Sequence, residues 1–284
     1  MSALFGPGGN SEKFYEEGYK STTQAPAWLK KEGLDAYEYQ AGNGITAGDE
    51  TLKKIGEAAA REGIKMSLHT PYFISLSGVE IEKRLKSIDY IRKSVHAAKL
   101  LGADTIVIHA GSAAKITREE AMRLASDTLY KAAEEFENES IHFGIETMGK
   151  INQLGTLEEV IELCKVAKIY YPVVDFGHLN SRNIGSFYKT EDDYKRTFEL
   201  IGEELGFEYA NKLHCHFSKI EYTKAGEKKH VRFEDTGFEP PFEPLCSYLA
   251  KSGLEPRIIC ESAGTMSVDA LAMKNFYKEC LKNR

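Results

Sequence analysis

The chain has little cysteine, no long apolar run and no excess of basic charge, and each shortage removes a class of protein. Five cysteines (Cys164, Cys215, Cys246, Cys260, Cys280) occur in 284 residues without CxxC spacing. A disulfide framework is therefore not expected, and the pattern suits a reducing cytoplasm. Cys215 and Cys260 lie inside apolar runs and read as small buried hydrophobes. No stretch approaches the ~18 apolar residues of a transmembrane helix. The opening MSALFGPGGNSEKF has neither the charged start nor the apolar centre of a secretory signal. No membrane partner is expected. The formal net charge is -6, opposite to the usual sign of a nucleic-acid binder. That weighs against nucleic acid without excluding it, because bound divalent cations reverse the local sign of an acidic site. Repeats, linkers and low-complexity segments are also missing, so one domain over residues 1–284 is expected.

What is present is alternation. Strand-like runs are ALFG (3–6), LDAYEYQ (34–40), KMSLHTP (65–71), DTIVIHAG (104–111), HFGIETM (142–148), YPVVDFGHL (171–179), KLHCHFSK (212–219) and PRIICESAG (256–264). Helix-like stretches follow each of them, near 23–32, 49–62, 81–101, 117–137, 156–168, 191–205, 241–252 and 267–282. Thr117 with Glu120, and Thr156 with Glu159, have the spacing of capping boxes. Gly63, Gly102 and Gly253 stand where helices should end. Strict strand–helix alternation favours a parallel sheet with right-handed crossovers. Eight such units in this length predict a single-domain α/β fold, the (β/α)8 TIM barrel. A doubly wound open sheet is the main competitor.

The polar residues lie where a purely structural sheet would not put them. His69 ends the third strand, His109 the fourth and Glu146 the fifth. Asp175 and His178 end the sixth, His214 and His216 lie on the seventh, and Glu261 ends the eighth. A single histidine or carboxylate after an apolar run is more often a hydrogen-bonded core residue or one member of an ion pair. Here the carboxylates of three strands would converge on one barrel mouth, the face where such barrels keep their chemistry. They would repel one another unless protonated or neutralised by cations. Nitrogen and carboxylate donors without thiolate suit Zn²⁺, with Mn²⁺ or Fe²⁺ compatible with the same set. The ligand candidates outnumber what one tetrahedral ion needs and predict two or three ions. A carboxylate such as Glu146 could bridge two of them, about 3.5–4 Å apart.

The segments SLHTPYFISL, VIHAGS, IETMG, VDFGHLN, LHCHFSK, GEKKH and CESAG resemble those of the endonuclease IV family of apurinic/apyrimidinic endonucleases, within the xylose-isomerase-like barrels. The DxxH of Asp175 and His178, with Glu261, is the most specific match. The resemblance implies three zinc ions and cleavage of damaged double-stranded DNA 5′ to an abasic site; a monomer is expected. It implies that His69, His109 and Glu146 hold the first ion. Glu146, Asp175, a strand-seven histidine and Glu261 would hold the second, and His178 and His230, with a carboxylate, the third. Either His214 or His216 fits the strand-seven place. The family's Asp-x-His after that strand reads GEKKH here, so Lys228 takes the Asp position unless Glu227 substitutes through a one-residue shift. Glu261 or Glu146 would orient the nucleophile as well as bind metal. Tyr72 stands where the family inserts an aromatic side chain into the duplex, and Lys219, Lys224, Lys228, Lys229 and Arg232 offer phosphate contacts. Half-buried loop tyrosine and solvated charged loop are the plain alternatives for these. A single-metal sugar isomerase or epimerase is the second functional reading, because Glu146, Asp175, His214 or His216, and Glu261 would suffice for it. A non-catalytic metal or sugar-phosphate binder is the third.

Overall fold

The computed structural model describes residues 2–283. Eight parallel strands form the barrel: β1 (Leu4–Pro7), β2 (Ala36–Gln40), β3 (Lys65–His69), β4 (Ala103–His109), β5 (His142–Glu146), β6 (Tyr170–Asp175), β7 (His214–Phe217) and β10 (Arg257–Cys260). Their order is β1-β10-β7-β6-β5-β4-β3-β2, all pairs parallel. The ring closes between β1 and β2: Asp35 N donates to Phe5 O, and Gly9 N donates to Glu38 O, both at 2.9 Å. The expected TIM barrel is therefore the observed fold, and the open sheet is excluded by that closure.

Helices α3 (Asp49–Glu62), α4 (Ile81–Leu101), α5 (Arg118–Phe136), α6 (Leu157–Cys164), α8 (Glu191–Glu204), α10 (Glu243–Ser252) and α11 (Met266–Lys282) surround the strands with α2 (Ala25–Glu32). Short helices α1 (Glu12–Glu16), α7 (Phe176–Arg182) and α9 (Phe207–Asn211) complete the set. Thr117 and Thr156 cap α5 and α6, accepting from Glu120 N and Glu159 N, both at 3.2 Å; only Thr156 with Glu159 closes the full capping box, the Glu159 carboxylate accepting from Thr156 N. Alternation along each strand sorts the side chains. Phe143 and Ile145, Ile106 and Ile108, or Cys215 and Phe217 join the hydrophobic core under the helices. The intervening residues turn into the barrel, and these include the acids and imidazoles.

Two local departures from the sequence expectation shape the site. The run YPVVDFGHL is not strand throughout: β6 stops at Asp175, and the chain turns at once into α7. Asp175 is the N-cap of that helix, its carboxylate accepting from His178 N at 2.7 Å. His178 thus projects from the first turn of a helix rather than from a strand end. KLHCHFSK is likewise cut, and the segment after it is not a loop. Lys219 begins β8 (Lys219–Thr223), which pairs antiparallel with β9 (Gly226–Val231) as a hairpin over the barrel. Cross-strand pairing of an alternating, charge-rich segment satisfies its backbone where solvent would otherwise have to.

Candidate metal centre

The mouth of the barrel is a cavity of about 410 Å³ lined by His69, Tyr72, His109, Glu146, His178, Glu227, His230 and Glu261, with Met148, Lys150 and Gln153 on its rim. Of the four candidate ligand groups among the described residues, Glu38, His214 and His216 form one beneath the mouth and the other three meet at it. His69, His109 and Glu146 form the first of these; Glu146, Asp175, His216 and Glu261 the next; His178, Glu227 and His230 the last. Within each group the donor atoms lie within 4.8 Å of one another. Glu146 belongs to two groups, and its two oxygens divide between them. Oε2 lies 3.3 Å from both His69 Nε2 and His109 Nε2, while Oε1 lies 3.0 Å from His216 Nδ1.

The backbone sets which nitrogen each imidazole presents. His69 Nδ1 lies 2.9 Å from Thr70 O, and His178 Nδ1 3.0 Å from Thr147 O. Each carbonyl accepts a hydrogen bond from Nδ1–H and leaves Nε2 turned to the cavity. His230 Nδ1 is likewise occupied, by Ser218 Oγ at 2.8 Å. Such partners fix the tautomer of a metal-binding histidine. His178 Nε2 then lies 3.4 Å from Glu227 Oε2. Glu227, and not Lys228, completes that group; the Lys228 ammonium pairs with Glu221 on the hairpin surface. The two strand-seven histidines are also told apart. His216 is in the mouth, beside Glu146 and, at 3.6 Å, Glu261. His214 stands one layer deeper, its Nε2 2.9 Å from Glu38 on β2.

Buried carboxylates and buried imidazoles offset one another's charge in the mouth. Glu146 and Asp175 are wholly buried. Burial pushes the Glu146 carboxyl up, but the His216 charge and hydrogen bonds from His109, His178 and His216 outweigh it and hold the group well below its usual range. Burial raises Asp175. Burial lowers His69, yet the hydrogen bond and charge of Glu146, with Glu38 and Glu261, bring it to about 9. His178 and His216 are raised well above their ordinary value because the surrounding carboxylates outweigh burial. Burial keeps His109 low. Asp175 Oδ2 is buried and accepts no hydrogen bond, although the His178 ring stands 3.4 Å away. A buried carboxylate oxygen left without a donor is what a metal ligand looks like before its ion is counted. The donor sets, imidazole and carboxylate with no thiolate, therefore fit borderline divalent cations. A His₂Glu group and a four-donor group sharing a carboxylate have the composition of a multi-ion centre.

The side chains expected to touch nucleic acid are less uniform. Tyr72 is 57% exposed at the rim and stacks on His109, ring centroids 5.3 Å apart. Phe73 beside it is 49% exposed. Lys229 is exposed next to Glu221. Lys219 folds away, donating to Phe233 O at 2.6 Å, and Arg232 is held by Glu12 at 2.8 Å. Two residues lie outside the segments that carry the family resemblance: Lys150, which lines the cavity, and Glu38, which groups with His214 and His216. Among the described residues, no helix is long and apolar enough to cross a membrane.

Residues 26–275 match the family described as the xylose isomerase-like TIM barrel. The chain is 29% identical over 255 residues to an uncharacterized protein of Methanocaldococcus jannaschii, covering 88% of this chain and 90% of the other. It is 30% identical over 224 residues to a probable endonuclease 4 of Acholeplasma laidlawii, covering 72% and 74%. Among solved structures it resembles a D-tagatose 3-epimerase-like protein with a TM-score of 0.73 and 18% identity, over 99% of this chain and 98% of that one. At that identity the likeness speaks for the fold alone.

Proposed function

This chain belongs to the xylose isomerase-like TIM barrel family, and from that premise we propose that it is a metal-dependent phosphodiesterase of the endonuclease IV type. Its substrate on this reading is duplex DNA, cut 5′ to an abasic site. The observation that carries the reading is the number of ligand groups. A sugar isomerase or epimerase needs Glu146, Asp175, His216 and Glu261; it has no use for His69 and His109 on one side and His178, Glu227 and His230 on the other. Three adjoining groups suit a phosphodiester, whose attacking and leaving oxygens both carry charge that must be stabilised. The 30% identity to a probable endonuclease 4 supports the same choice.

The groups His69–His109–Glu146, Glu146–Asp175–His216–Glu261 and His178–Glu227–His230 would hold the ions. Bound divalent cations supply the positive field that grips a phosphate and makes a water molecule acidic. The chain's own residues do the rest. Glu261 reaches the cavity from the end of β10 and is tethered by Gln40 Nε2 at 3.3 Å. It is placed to orient the attacking water and take its proton. Glu146, buried between two groups, fixes their spacing. Tyr72 and Phe73 offer exposed rings at the rim to fill the gap left in a duplex by a missing base. An abasic nucleotide has little pairing or stacking to lose, so its extrusion selects the lesion without reading sequence. Lys150 and Lys229 are available to phosphates. The expected location is the cytoplasm and the expected form a monomer.

The competing reading, a single-metal sugar epimerase, draws on the same four-donor group and on the fold it shares with an epimerase-like protein. A duplex carrying one abasic analogue separates them. Incision in the presence of Zn²⁺ or Mn²⁺, stopped by chelator, is the expected outcome. Absence of incision at micromolar protein with several divalent metals, together with ketose epimerisation, would transfer the protein to the second class.

A further inference from the structure

Beneath the mouth lies a buried polar cluster that the proposed chemistry does not use. Glu38, on β2, is wholly buried. In the sequence it sits between Tyr37 and Tyr39, where alternation gives no hint of a functional role. Its Oε2 accepts from Ser67 Oγ at 2.9 Å and lies 2.9 Å from His214 Nε2. Its Oε1 lies 3.0 Å from His216 Nε2 and accepts from Gln40 Nε2 at 3.3 Å. The same Gln40 amide donates to Glu261 Oε1 at 3.3 Å. One carboxylate therefore reaches two residues of the four-donor group, His216 directly and Glu261 through Gln40.

His216 is oriented unlike the other imidazoles of the mouth. His69, His178 and His230 give Nδ1 to a backbone carbonyl or a hydroxyl and keep Nε2 for the cavity. His216 is reversed: Nδ1 faces Glu146 and Glu261, and Nε2 points down the barrel at Glu38. We propose that Glu38 is a positioning residue for the central metal site: its carboxylate charge, 3.0 Å from a His216 Nε2 that makes no hydrogen bond, keeps that imidazole turned so that Nδ1 is the ligand atom, and His214 and Ser67 hold Glu38. A buried carboxylate behind a ligating imidazole fixes its ring and makes it the more basic donor. The inference rests on the metal-site reading given above but not on the choice of substrate.

The test is metal affinity, which a purely structural role would leave unmoved once folding is accounted for. Wild type, Glu38→Gln and Ser67→Ala are stripped with chelator and titrated with Co²⁺ against a competing chelator, following its visible absorption. Circular dichroism checks the fold of each. Glu38→Gln should still bind as many ions at saturation, with the weakest-held central ion lost about 10- to 100-fold more readily and with an altered absorption band. Ser67→Ala should shift affinity in the same direction by less, and it serves if Glu38→Gln does not fold. Unchanged affinity and spectrum in both variants overturn the proposal while leaving the metal centre in place. Loss of one whole equivalent from Glu38→Gln at saturation also overturns it, because Glu38 would then be a ligand itself. A wild type that binds no Co²⁺ contradicts the metal reading instead.

Discussion

At the scale of the residue, the account turns on carboxylates kept close together at the end of a barrel. Glu261 is the most exposed acid of the four-donor group, and it lines the cavity together with Glu146. Glu261→Gln removes its charge and keeps its shape, so catalysis should fall by about 10²-fold or more, with circular dichroism unchanged. Full activity in that variant would mean the reacting water lies elsewhere. His69 gives a pH signature. In the chelated protein its pKa is about 9, raised above the ordinary histidine value because Glu146, Glu38 and Glu261 outweigh burial. A group raised on folding contributes stability that is complete below the unfolded pKa, ~6.5. That contribution is lost as pH climbs through about 9. Thermal unfolding of the chelated protein should accordingly show a falling midpoint from pH 6.5 to 9. Metal ions bind the neutral imidazole and displace its proton. Their stabilising effect should therefore grow over the same range, and a chelated protein whose midpoint rises there would contradict the assignment.

At the scale of the element, two short segments place the third ligand group. Asp175 caps α7, so a residue that ends a strand also starts a helix and points His178 across the mouth. The β8–β9 hairpin then lowers Glu227 and His230 onto it. Its fit depends on Gly226, which has φ +89 and lies so close to Gly149 that an added Cβ would collide with the Gly149 carbonyl. Gly226→Ala should lift the hairpin and cost one ion at saturation, read by metal analysis, while the barrel's unfolding midpoint moves little. Retention of all ions would show that the hairpin is not what completes the group. These elements were the least legible in the sequence. VVDFGHL has the apolar content of a strand, and only the cap interaction stops it. The hairpin's alternation is masked by lysines and glutamates whose partners, such as Lys228 with Glu221, lie across the pair. The capping threonines of α5 and α6 were readable because their partners are three residues away.

At the scale of the whole molecule, eight alternating units favoured a barrel over an open sheet, and the closed barrel makes the polar strand ends share a face. That much follows from local pattern. Glu38 does not, because alternation marks a glutamate between two tyrosines as solvent-facing, whereas a closed barrel buries both sides of its strands. The different surroundings of the two strand-seven histidines were hidden for a related reason: His214 and His216 point the same way along β7, and only their depth distinguishes them. The His216 level pairs with Asp175, and the His214 level with Val173. The central claim, that this mouth is a multi-ion centre, is tested most directly by counting metal in protein purified without chelator or affinity tag and reloaded with Zn²⁺. Two or three ions per chain are expected, all released by chelation. One ion, or none, would contradict the account and favour the single-metal or metal-free alternatives.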